Sequence, residues 1–195
     1  MTFEREKATA IAGNDASLGR DGSMAEGAQA EGFYTVTCVD KNGIQKWEDK
    51  IENLVVNAGK NLALDTVFAG SAYTVTGPYM FLAGGTPASA TATDTMATKT
   101  GWTEVGGTNA PAYTAPRKTV AFSAAATGSK STSSALSFAI TSAGTVAGCG
   151  IVLGSGAVST VDNTSGTLYS VGAFTGGSKT VANGDTLQVS YTASL

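Results

Sequence analysis

Phe33-Tyr34-Thr35-Val36-Thr37-Cys38-Val39, then Asp40-Lys41-Asn42-Gly43, then Ile44 to Ile51, is the stretch that decides the fold. The first run is β-branched and aromatic, and its alternation places Tyr34, Val36 and Cys38 on one face. Asn42-Gly43 supplies the positive φ that a tight hairpin turn demands. Ile44 to Ile51 is the predicted return strand, with Trp47 as its largest apolar anchor and charges on either side. A β-hairpin here sets the expectation for everything downstream.

Working outward, Asn57 to Gly70 carries the one helical pattern. Asn57 can cap it, Ala58, Leu62, Ala63, Val67 and Phe68 recur near the helical period, and Gly70 suits a left-handed C-terminal residue. Gly59-Lys60-Asn61 reads as a turn of this helix. A phosphate loop would need Ser or Thr after the lysine and a glycine at position 54, where Asn61 and Leu54 stand instead.

From Tyr73 onward short strands alternate with Gly, Thr and Pro turns. Tyr79-Met80-Phe81-Leu82-Ala83 is a continuous apolar run, as a central buried strand would be. Thr119 to Ser123 alternates, and so does Ala135 to Ile140, with Leu136, Phe138 and Ile140 inward. Val146 to Leu153 is small and apolar and is expected to bury Cys149; Leu168 to Phe174 follows. A last hairpin is predicted to turn at Asn183-Gly184 and to end in Thr186 to Thr192. Seven to nine short strands at this spacing predict a mainly β chain with one short helix, a single β-sandwich of jelly-roll-like or immunoglobulin-like kind over residues 32–195.

Upstream, residues 8–32 are Ala, Gly and Ser with scattered acids and no hydrophobic period. Residues 1–31 therefore read as an extended N-terminal arm, since such a composition cannot form a core alone. Two readings stay open for it, a disordered tail and a strap that orders on a neighbour.

Composition bounds function as well as fold. The 195 residues suffice for one domain of roughly 150 residues and an extra segment. Charged residues make up 14%, against the usual ~25%. Net charge is −3, with −4 in residues 1–52 and +1 in residues 53–195. Arg117-Lys118 is the longest basic cluster, too little for a nucleic-acid footprint. No apolar run approaches the ~18 residues of a membrane span. The charged start, Met1 to Lys7, lacks the apolar stretch of a secretory signal, so assembly in the cytoplasm is expected, with Cys38 and Cys149 as free thiols.

Catalytic chemistry is thin. With no histidine, imidazole acid–base steps and His-ligated zinc are excluded. Two cysteines 111 positions apart make no metal site. In Ser129-Lys130 and Ser178-Lys179 adjacent side chains on a strand point to opposite faces, so both read as exposed turns. Asp65, Asp94, Glu104, Asp162 and Asp185 are the carboxylates of the folded part. Asp185 and Asp162 read as turn residues, Asp94 as the cap of a short turn before Met96, and nothing pairs them across a glycosidase cleft. No cofactor is expected. Trp102 and Tyr113 lie in a stretch rich in Gly and Pro. They read as anchors that fold it back over the sandwich end, with subunit contact as the alternative. Trp102, Tyr113, Phe3 and Arg20 are the candidate partner-contact residues.

Several separated pieces carry a resemblance. They are Lys46-Trp47, Asn53-Leu54-Val55, Gly59-Lys60-Asn61-Leu62-Ala63-Leu64-Asp65, Asp94-Thr95-Met96, Gly101-Trp102-Thr103-Glu104, Arg117-Lys118, Gly166-Thr167-Leu168-Tyr169-Ser170 and Gly184-Asp185-Thr186-Leu187. In their order and spacing the chain resembles a family of virion proteins encoded in structural gene clusters of tailed bacteriophages, over about residues 33–195. The resemblance implies a non-enzymatic particle component, a capsid decoration or cement protein on the outer surface of the virion that bridges capsomers and stabilises the head. A tail- or fibre-associated protein that binds a receptor or glycan is the alternative. The implied partners are the major capsid protein and copies of the chain itself, as dimers or trimers, with no nucleic acid and no membrane.

Overall fold

The hairpin forms as its sequence predicts. In the computed structural model, which describes residues 30–68 and 76–194, β1 (Glu31–Val39) and β2 (Gln45–Glu52) pair antiparallel, from Phe33 opposite Glu52 to Cys38 opposite Trp47. The turn is held by the Asp40 carboxylate, whose Oδ1 accepts the N–H groups of Asn42 at 2.8 Å and Ile44 at 2.9 Å. Gly43 takes a φ of 80°, a conformation that glycine adopts without a Cβ penalty. Ile44 belongs to this turn rather than to the strand and is exposed.

The other edge of β1 is taken by the far end of the chain. β13 (Thr186–Ser194) pairs with all of β1, from Glu31 opposite Ser194 to Val39 opposite Thr186. On its outer side β13 carries β8 (Leu136–Ala139) and β7 (Ser129–Ser131), completing a first, five-stranded sheet. A second sheet runs in the order β3 (Leu54–Val55), β11 (Thr167–Ala173), β10 (Gly148–Leu153), β4 (Tyr79–Gly85). β5 (Trp102–Glu104) and β6 (Lys118–Thr119) share the remaining edge of β4. A ribbon of β9 (Gly144–Val146) and β12 (Lys179–Val181) stands apart. All of these pairings are antiparallel, and the chain is mainly β, a sandwich as expected.

Alternation builds two cores. Between the sheets lie Tyr34, Val36, Cys38, Ile51, Leu187, Val189 and Tyr191 from the first, facing Met80, Leu82, Cys149 and Ile151 from the second. Phe81, Ala83, Val152, Leu168 and Val171 point the other way. They form a second core with Val56, Met96, Trp102 and Ala157 on the outer face of that sheet. The second sheet is thus buried on both faces, which is why Tyr79 to Ala83 is an uninterrupted apolar run. Gly150 belongs to this packing, because a Cβ there would sit 2.2 Å from the Phe81 ring. The two sheets are also joined by a hydrogen bond, Tyr34 Oη to Ser170 Oγ at 2.7 Å.

Several expectations need correction. The strands number thirteen among the described residues, many of only two or three residues. Thr119 to Ser123 is not one strand, since pairing ends at Thr119 and resumes only as a lone bridge from Phe122 to Thr132. The turn at Asn183-Gly184 exists, yet its flanks do not form a hairpin: β12 pairs with β9, and β13 with β1 and β8.

The helix α1 spans Asn57–Phe68, and Gly70 lies outside the described residues. Only Gly59 and Leu62 are buried, whereas Leu64, Val67 and Phe68 are exposed. The reason is local. Gly59 lies directly on the backbone of β11, where a Cβ would be 2.5 Å from the Tyr169 carbonyl oxygen, so the helix docks by its first turns and its last turn stands in solvent. β1 begins at Glu31, the last residue of the predicted arm, and residues 1–29 lie outside the described residues.

Candidate functional site

Between β4 and β5 the polar groups face inward. After a 3₁₀ turn at Pro87–Ser89, the Asp94 carboxylate, 2% exposed, accepts four hydrogen bonds. Oδ1 takes the hydroxyls of Thr91 at 2.8 Å and Thr100 at 2.6 Å. Oδ2 takes the Thr100 N–H at 3.0 Å and the Trp102 Nε1–H at 2.7 Å. Burial alone raises the pKa of Asp94, but the bonds from Thr100, Trp102 and Thr91 outweigh it and hold it at about 2. Asp94 therefore organises the whole Thr-rich loop, beyond the single cap expected of it. Trp102 is 2% exposed and stacks on Phe81, ring centroids 5.7 Å apart and 9° from parallel. As a partner contact it is corrected: the ring is an internal anchor.

The next carboxylate is also spent inside. Glu104 on β5 and Arg117 are both buried and form a two-pronged pair, Nε to Oε1 at 2.8 Å and Nη2 to Oε2 at 2.7 Å. The rest of the guanidinium donates to the carbonyls of Val158 at 3.0 Å and Asn163 at 2.6 Å, and Glu104 Oε2 also accepts the Asp162 N–H at 3.1 Å. Half of the chain's longest basic cluster is thus a structural cation. Lys118, its neighbour, lies 5.8 Å from the ring centroid of Tyr113. Tyr113 is 3% exposed and meets Phe138 edge-on at 5.1 Å, so it too is an anchor and not a partner contact. Phe3 and Arg20 lie outside the described residues.

Asp185 is more than the turn residue expected. It is buried, accepts the Ala182 N–H at 2.8 Å, and pairs with Lys46 Nζ of β2 at 2.5 Å. The Cys38 thiol lies 3.9 Å from the same carboxylate. Burial, then the Asp185 charge, pushes the Cys38 pKa up to about 11 against the smaller pull of Lys46. Burial alone raises Cys149 well above the usual thiol range. Both cysteines are free and buried, so neither is a nucleophile.

The two Ser-Lys pairs are not turns as expected: Ser129 and Lys130 lie in β7 and Lys179 opens β12, with Ser129 and Lys179 half-buried. Ser129 Oγ donates to the Ala193 carbonyl at 3.2 Å, and Lys179 Nζ donates to the Thr175 carbonyl at 3.0 Å and lies 3.4 Å from Asp49. Among the described residues no three of His, Cys, Asp and Glu are grouped as metal ligands, and no helix is long and apolar enough to cross a membrane.

What remains available lies on the surface. A cleft of about 330 Å³ at the start of β1 is lined by Glu31, Lys50, Glu52, Asn53 and Lys60 among others. The outward residues of β2, Glu48, Lys50 and Glu52, are exposed on a strand with a single neighbour. The sequence contained a signal for this row, the charges alternating around Trp47, Asp49 and Ile51. Comparison with protein-family models, with curated proteins and with solved structures found no match.

Proposed function

We propose that the chain is a structural component of a tailed-bacteriophage particle, a decoration or cement protein that binds the outer capsid surface and bridges capsomers. The observation that carries this reading is where the resembling pieces of sequence lie. Scattered from Lys46 to Leu187, they meet as contacting pairs: Lys46 with Asp185, Asp94 with Trp102, Glu104 with Arg117, Val55 opposite Ser170, and Gly59 on Tyr169. A likeness distributed in this way describes a folded framework and not a short local motif.

Binding would rest on backbone pairing and surface burial, each contact modest and strengthened by repetition over the lattice. The rival glycan-binding reading would present Ser/Thr/Gly loops and Trp102 to a host glycan, and of these the Trp102 ring is inside the molecule. Electron microscopy of the particle is the test. Density of this shape on the capsid faces supports the proposal, and density confined to the tail overturns it. Deleting residues 2–31 tests the arm: lower capsid occupancy with the domain still folded supports a strap, and full occupancy rules it out.

A further inference from the structure

We infer that β2 is a self-recognition edge, through which two copies join their first sheets about a two-fold axis at Asp49. This inference concerns the protein alone and does not rest on the capsid reading.

The backbone comes first. The N–H of Asn53 donates to the carbonyl of Gly32 at 3.2 Å, and the register places Phe33 opposite Glu52. In an antiparallel pair the bonded residues alternate, so Trp47, Asp49 and Ile51 bond to β1, while Glu48, Lys50 and Glu52 turn their N–H and C=O groups to the free edge. The Lys50 carbonyl accordingly meets a group from outside the sheet, the Thr175 hydroxyl, at the long distance of 3.5 Å. No other described strand runs along that edge.

Side chains then select the partner. Glu48, Lys50 and Glu52 occupy one exposed face in alternating sign, whereas Lys46 sits at the bulge and turns to Asp185. An antiparallel copy centred on Asp49 sets each Glu48 against the other copy's Lys50. Both of these cross-strand pairs are of opposite charge, and the residues that face each other are those with outward backbone groups. Centred on Glu48 the pairing opposes Glu48 to itself; centred on Lys50 it opposes Lys50 to itself and Glu48 to Glu52. Like charges directly opposite one another disfavour both. On the core face, the two Asp49 carboxylates that meet at the axis are each countered by Lys179 of their own chain at 3.4 Å. Charges on an edge strand ordinarily guard it against indiscriminate pairing; this order of charges also permits one register with a second copy, an isologous contact.

Sedimentation analysis of the purified full chain provides the test. The wild type should be a dimer that dissociates on dilution and, more readily, at high salt. Lys50→Glu sets like charges together twice per dimer and should weaken dimerisation about tenfold or more. The double exchange Glu48→Lys with Lys50→Glu restores every pair and should restore the dimer, a recovery that damage to the fold could not produce. A monomeric wild type overturns the inference. So does a dimer that Lys50→Glu leaves unchanged, or one that the double exchange fails to rescue while circular dichroism shows native β structure.

Discussion

Arg117 grips Glu104 with two parallel hydrogen bonds, 2.8 and 2.7 Å, in a place where the two side chains are 0% and 1% exposed. Neither charge has water to fall back on. The guanidinium also reaches the carbonyls of Val158 and Asn163, so the pair ties β5 to the loop that precedes β11.

Removing one member strands the other. Arg117→Met should destabilise the fold by about 3–5 kcal/mol, because a carboxylate is left buried and unpaired. Glu104→Gln together with Arg117→Met should cost less than the sum of the single changes. Urea unfolding of the four proteins measures this coupling; additive effects would contradict it.

Asp94 makes stability depend on acid. Its pKa is about 2 in the folded chain against an ordinary 3.8, so its contribution is complete above 3.8 and is lost as pH falls towards 2. The difference corresponds to about 2 kcal/mol. Asp94→Asn should lower stability at pH 7 by roughly that amount and flatten the loss in that acid window, followed by denaturant titrations at several pH values.

Both thiols should resist modification. At pH 8 the Cys38 thiol, raised to about 11, and the still higher Cys149 are protonated as well as buried. A thiol reagent should therefore label neither in the native protein and both in denaturant. Rapid native labelling of either would contradict the packing described.

Gly150 is the tightest test of the double-faced sheet. A methyl group there meets the Phe81 ring at 2.2 Å, and that ring is held by Trp102 behind it. Gly150→Ala should cost about 1–3 kcal/mol, whereas Gly176→Ala, in open space, should cost less and only through its φ of 76°. Comparing their thermal midpoints decides the point.

The legible parts of this fold are those whose causes are local. Asn42-Gly43 and the alternation around it specify a hairpin within about twenty residues, and the hairpin is there. The unbroken run at Tyr79 announces burial on both sides. Asn183-Gly184 misled because turn chemistry fixes a reversal of direction and says nothing of which strand the returning segment will join. The helix pattern counted Val67 and Phe68 as core, but the close contact of Gly59 with β11 decides where the helix sits. Arg117 gave no sign of burial, since its partner lies 13 positions away across a loop. The charged row on β2 was visible as alternation, yet only the register shows which of its backbone groups face outward.

The pairing of β1 with β13 has a consequence for how the chain is made. β1 and β2 leave the ribosome early, but the strand that covers the other edge of β1 is completed only at Ser194. Until then β7 and β8 have no strand to join and the face carrying Tyr34, Val36 and Cys38 has no complete sheet around it. Synthesis of every described strand must precede closure of the sandwich, a contact order that makes folding slow and nearly all-or-none. A chain cut short before Thr186 would be a set of sticky edges rather than a smaller domain, and the cell would be expected to clear it before it could be built into anything.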